Sequence, residues 1–164
     1  MTDSKNNILL LGQKDGFLDL NPSTGIDTLG YTGQHMFVSK FNPNGGYEWS
    51  AKYEDVVIGF SPVMDIDAND NIIFAGVYTE ELDTDPSPNV NTLVNDGSYS
   101  QITGWPEDGF SGFVIQLNPK GEFAWAFELE SLLYPSGSTP FFPGYIGAPG
   151  VVIVDVTVGA TGEL

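Results

Sequence analysis

Apolar and polar positions alternate in short runs along this chain, and each run stops at a turn signal. Phe37-Val-Ser-Lys-Phe41 ends on Asn-Pro-Asn-Gly, and Phe113-Val-Ile-Gln-Leu117 ends on Asn-Pro-Lys-Gly. Pro presets one turn position and Gly tolerates the left-handed one, so each run predicts a strand closed by a tight turn. Residues 47–51 and 123–127 follow directly and complete two hairpins. Val63-Met-Asp-Ile-Asp67, the turn-forming Ala68-Asn-Asp-Asn71 and the apolar run at 72–78 predict another. Strands are also expected at 8–13 and 151–158, the latter so rich in Val and Ile that burial on both faces is expected. No stretch keeps a helical period, and twenty Gly with eleven Pro in 164 residues suit short strands joined by turns. The predicted class is all-β.

The runs repeat. Gly12, Leu18, Asp19 and Pro22 recur as Gly76, Leu82, Asp83 and Pro86, at an offset of 64. Phe37, Val38, Asn42, Pro43, Gly45 and Trp49 recur as Phe113, Val114, Asn118, Pro119, Gly121 and Trp125, at an offset of 76. Val63-Met-Asp-Ile66 matches Ile153-Val-Asp-Val156 at an offset of 90. Rigid offsets that step upward mean two copies of one unit, with two insertions in the later copy. Trp49 and Trp125 are therefore expected at equivalent, largely buried positions.

The stretch from Phe37 through Trp49, followed by Asp67-Ala-Asn-Asp-Asn-Ile-Ile-Phe-Ala-Gly76, resembles the SBBP-type bacterial β-propeller repeat. Leu82-Asp-Thr-Asp-Pro86 is similar to a motif of exported Bacteroidota proteins that carry such repeats. The resemblance implies four-stranded antiparallel blades with strands a to d, and this chain then runs b-c-d, a-b-c-d, a. It is expected to be one module of two repeats over 1–164, the first at about 6–67, the second at about 71–158, with the start of a third at 159–164. The strand at 151–158 is expected to complete the blade begun at Ile8, which splits one blade across a seam. Two blades do not close a ring, because propellers need about four to eight. Further repeats of a parent chain, or other copies of this one, are the expected structural partners.

Because blade strands alternate in direction, the b–c and d–a connections leave from one face and the a–b and c–d turns from the other. Both insertions of the second copy fall in b–c and d–a connections, hence on one face. They carry Tyr99, Trp105, Phe110, Tyr134, Phe141, Phe142 and Tyr145 among Gly, Ser and Pro. Such rings suit a protein contact or stacking on a sugar; equally, they suit packing beneath their own loops.

Twenty-two acidic residues against five Lys and no Arg give a formal charge of −17, which disfavours nucleic acid as a partner. Asp65, Asp67, Asn69 and Asn71 have calcium-loop spacing, but the usual Gly is missing and Gly76 stands where a bidentate acid belongs, so a plain turn is the other reading. Asp83 and Asp85, with Asp19 and Asn21 in the first copy, have the spacing either of a calcium site or of a self-capped turn. No other cofactor is expected. The lone His35 has no partner motif, no nucleophile, phosphate or zinc-protease signature is present, and zero Cys excludes thiolate chemistry. No apolar run suits a bilayer span and no signal-peptide pattern follows Met1.

The expectation is a non-enzymatic structural or adhesive propeller segment that offers an aromatic loop face to a protein or glycan. Secretion or a cell-surface location is implied by the resemblance alone. The alternative is a carbohydrate-binding or glycoside-hydrolysing propeller.

Overall fold

The computed structural model describes residues 1–30, 33–54, 56, 62–79, 81–95, 111–129 and 155–158. Among them every element is a β-strand, and all pairings are antiparallel. Strands β1 (Ile8–Asp15), β2 (Gln34–Phe41) and β3 (Tyr47–Glu54) form a first sheet in chain order. Strands β4 (Val63–Ile66) and β5 (Ile72–Tyr78) open a second sheet. A separate ribbon follows, of β6 (Glu81–Asp83) paired with β7 (Thr92–Val94). Strands β8 (Ser111–Leu117) and β9 (Phe123–Leu129) then complete the second sheet in the order β4-β5-β8-β9. These are propeller-type blades: one with strands a to d, and one with b to d. A register shift falls between Lys40 and Phe41 in the first and at the equivalent Gln116 and Leu117 in the second.

The turns repeat as closely as the strands. Asn42 Oδ1 accepts the backbone N–H groups of Asn44 and Gly46, and Asn118 Oδ1 accepts those of Lys120 and Glu122. Gly45 and Gly121 sit in the left-handed region at φ 80° and 82°, where a side chain is strained. Asp67 Oδ1 caps the N–H groups of Asn69 and Asn71, with Asp70 at φ 64°. The same device stands at Asp3, which caps Lys5 and Asn7, with Asn6 at φ 63°. The first repeat therefore reaches back to an a–b turn at 3–7, and Thr2 bridges Ile8 as Ile66 pairs with Ile72.

The two sheets pack face to face. Leu9, Met36, Val38, Ala51 and Tyr53 of the first meet Ile72, Phe74, Tyr78, Phe113, Ile115 and Leu117 of the second in the main core. Tyr53 and Phe74 touch with ring centroids 5.3 Å apart. Full burial of each such side chain contributes about 1.5–3 kcal/mol, so this interface is the chief source of stability. Gly12 and Gly76 recur because a ring lies on each: a Cβ would come within 2.5 Å of Phe37 and 2.8 Å of Phe113 respectively.

Three expectations change. Trp49 and Trp125 do occupy equivalent positions on β3 and β9, but both are half-buried rather than largely buried, because each lies at the rim of its sheet near a turn. His35, which precedes the run at 37–41 and is expected as a loop or strand-end polar residue, is inside β2 and only 3% exposed, lodged beneath Gly30. Residues 155–158, the described part of the expected strand at 151–158, belong to no sheet. A strand needs a hydrogen-bonding neighbour, and the Ile8 end of β1 is already bridged by Thr2. Instead Val156 and Val158 pack on Ile73, Ala75 and Val114 of the second sheet, and the Val158 N–H donates to Asp65 Oδ2 at 2.8 Å.

Candidate functional site

The β6–β7 ribbon is a wedge. Leu82 at its centre is 1% exposed and joins the main core between the sheets. Its first-repeat counterpart, residues 17–30, places Leu18, Leu20 and Leu29 on Phe37 and Tyr47, against the opposite face of the first sheet. Asp27 fastens that counterpart to β3, accepting from the Tyr47 hydroxyl and the Lys52 ammonium.

Asp83 Oδ1 accepts the N–H groups of Asp85 and Asn91, Asp85 Oδ1 accepts that of Ser87, and Ser87 Oγ accepts that of Asn89. Asp19, Asn21 and Ser23 reproduce the chain of caps on Asn21, Asp27, Ser23 and Gly25. Backbone hydrogen bonds from Asp27 and Asn21 hold the Asp19 carboxyl below its ordinary range. The Asp-Xaa-Asp-Pro spacing thus builds a self-capped turn, and among the described residues no three His, Asp or Glu gather as ligands for one ion. Asp65 Oδ1 likewise accepts the neighbouring Ile66 N–H, while its Oδ2 takes Val158.

Asp85, at the tip of the ribbon, lines a groove of about 440 Å³ with Trp49, Ser50, Pro86, Ser87, Asn89 and the c–d turn at 120–123. The Tyr53 hydroxyl is buried with no hydrogen-bond partner among the described residues. Burial, and then the charges of Asp85 and Asp83, push its ionisation far upward, so it stays neutral.

A buried ion pair ties the turn ends of the two blades together. Lys40 Nζ lies 2.9 Å from Asp3 Oδ2 and donates to the Pro119 carbonyl at 3.1 Å, with both charged side chains nearly inaccessible. Burial alone would raise the Asp3 carboxyl. Hydrogen bonds from Lys40, Asn7 and Lys5 outweigh it and hold the group at about 2. Ser4 adds a second tie, its N–H and hydroxyl donating to Asp70. Neither tie has a local sequence pattern, since the partners lie 37 to 79 positions apart.

Tyr99, Trp105, Phe110, Tyr134, Phe141, Phe142 and Tyr145 lie outside the described residues. The described strands nevertheless fix where their loops are anchored: 96–110 leads into β8, and 130–154 follows β9.

No family model matches the chain, and no solved structure matches it. An uncharacterized WD repeat-containing protein of Acanthamoeba polyphaga mimivirus is 23% identical over 158 residues, a match that covers 83% of this chain and 10% of that protein. The chain therefore spans about a tenth of the curated relative it matches. The similarity is to a repeat protein, and with the antiparallel four-stranded unit it marks this chain as propeller-like.

Proposed function

We propose that this chain is a non-enzymatic propeller segment of SBBP type that presents its b–c and d–a loops to a protein or glycan, as part of an exported or cell-surface protein. The observation behind this reading is the contrast between the two ends of the blades. At one end four short turns share a single self-capped design and are stitched together by Lys40, Asp3, Ser4 and Asp70. At the other, the second repeat devotes 79–110 and 130–154 to connections, with seven aromatic side chains among Gly, Ser and Pro. A rigid scaffold with aromatic-rich loops at one end is the usual arrangement for recognition. Similarity to a WD repeat-containing protein favours a protein partner in general. Calcium at Asp83 and Asp85 belongs to the same reading as an optional ligand.

The test is binding of the folded chain to arrayed glycans and to candidate surface proteins, beside a variant with Trp105, Phe110, Tyr134 and Phe142 changed to Ala. The expected result is saturable binding that the variant loses while its circular dichroism is unchanged. Equal binding by both proteins would overturn the reading, and turnover of a glycoside would favour the hydrolase alternative.

A further inference from the structure

The groove beside the ribbon tip has a lining that the turns around it do not need. Both blades build it: β3 supplies Trp49, the ribbon supplies Asp85 and Asn89, and the c–d turn of the second blade supplies Lys120, Glu122 and Phe123. Trp49 is seated on that turn, close enough that a Cβ on Gly121 would fall 2.8 Å from its ring. It is only half-buried there, as is Phe123, so aromatic surface stays open beside the polar groups. In the first repeat the positions of Asp85, Asn89, Lys120 and Glu122 are held by Asn21, Gly25, Asn44 and Gly46. Both copies nevertheless close the same caps. Asn21 Oδ1 takes the Ser23 N–H as Asp85 Oδ1 takes that of Ser87, and Asn42 serves Asn44 and Gly46 as Asn118 serves Lys120 and Glu122. The turns therefore account for the caps and not for the charges.

Among the described residues those charges are unused. Asp85 and Glu122 each commit one carboxylate oxygen, to the Ser87 N–H and the Asn118 side-chain amide, and the second oxygen of each has no partner. The Lys120 ammonium and the Asn89 side-chain amide have none either, and Lys120 forms no ion pair with the two acids that share its groove. A cationic ligand meets Lys120 there and an anionic one meets Asp85 and Glu122, so neither sign is matched. A neutral saccharide is matched, because each hydroxyl both donates and accepts and the apolar face of the ring stacks on an indole. The volume of about 440 Å³ also falls within the span of about 300–1,000 Å³ usual for small-molecule sites. We propose that this groove binds a short neutral saccharide, with Trp49 as the stacking surface, Asp85 and Glu122 accepting from its hydroxyls, and Lys120 and Asn89 donating to them. The site is separate from the loops at 96–110 and 130–154 and does not depend on the recognition reading above.

The experiment is calorimetric titration of the 164-residue chain with neutral di- to tetrasaccharides of glucose, galactose, mannose and N-acetylglucosamine. Glycinamide and N-acetylglycine serve as probes of either charge. The double variant Asp85→Asn, Lys120→Asn gives the groove the residues of the first repeat, whose intact caps show that the fold accepts them. Circular dichroism checks its folding, and Asp85→Asn alone is read in the same way should the double variant fail to fold. At least one saccharide should bind saturably, and the substitutions should weaken that binding about tenfold or more. The variant lacking Trp105, Phe110, Tyr134 and Phe142 should bind it unchanged, and neither charged probe should compete. A chain that binds none of the saccharides, a groove variant that binds like the wild type, or tighter binding of a charged probe would each overturn the inference. Loss in the loop variant with none in the groove variant would overturn it too while supporting the recognition reading, so the two failures are distinguishable.

Discussion

Leu10 and Phe74 occupy the same position of the same repeat, yet the first is 49% exposed and the second fully buried. The difference does not lie in the strands, which share register and bulge. It lies in what stands opposite: Phe74 meets Tyr53 of the other blade, whereas none of the described residues covers Leu10 in that way. In a repeat protein the stability of a residue belongs to the interface between units more than to the unit itself. Equivalent substitutions in the two blades should therefore have unequal effects.

The largest inequality is expected for Phe74→Ala against Leu10→Ala. The former opens a cavity in the inter-blade core and should cost about 3–5 kcal/mol, whereas the latter should stay within about 0.5 kcal/mol. Urea unfolding at dilute concentration measures both. Equal losses would mean that the blades are stabilised separately. Next comes Lys40→Met, which strands the Asp3 carboxylate away from water and should cost about 3 kcal/mol. Adding Asp3→Asn should restore much of that loss. The matching Gln116→Met in the second blade removes no charge partner and should cost under about 1 kcal/mol.

The glycine pair sharpens the comparison further. Gly45→Ala and Gly121→Ala both force a side chain into the left-handed region, at about 1–2 kcal/mol. Only at Gly121 does the new Cβ also meet a Trp49 ring. The excess loss at Gly121, read as the difference in thermal midpoint, reports the inter-blade seat alone. Equal losses would place Trp49 outside the interface energetics.

The strands and the repeat were legible because they are local. Period-two alternation ending on Asn-Pro-Xaa-Gly locates β2, β3, β8 and β9, and the Ala68–Asn71 stretch locates the turn between β4 and β5. The turn at 3–7 carries a weaker signal: Asp3 and Asn7 repeat Asp67 and Asn71, but the three residues between them differ. The β6–β7 ribbon is faint in the sequence for a similar reason. Its signal is an Asp capping a residue eight positions on, at Asp19 with Asp27 and Asp83 with Asn91, which is too sparse to read as a strand pair. That ribbon is also what brings Asp85 to the c–d turn. The tie from Lys40 to Asp3 and Pro119 was beyond sequence reasoning, since it exists only once two blades are stacked.

The smallest expected effect is in acid. Asp3 is held at about 2 in the folded chain against an ordinary value of 3.8. Because the folded-state value is the lower one, its contribution is full above about pH 4 and is lost as the pH falls toward 2. Allowing for partial screening by solvent, the loss is about 1–2 kcal/mol. It is superimposed on an opposite trend, since protonating other carboxylates relieves the self-repulsion of a chain with charge −17. The Asp3→Asn variant separates the two, because it keeps the second trend and lacks the first. Urea unfolding at pH 5 and pH 2.5 should therefore show the wild type losing more stability than Asp3→Asn. Parallel losses would mean that the Lys40 pairing does not distinguish folded from unfolded Asp3, and that the turn ends of the two blades are held by packing alone.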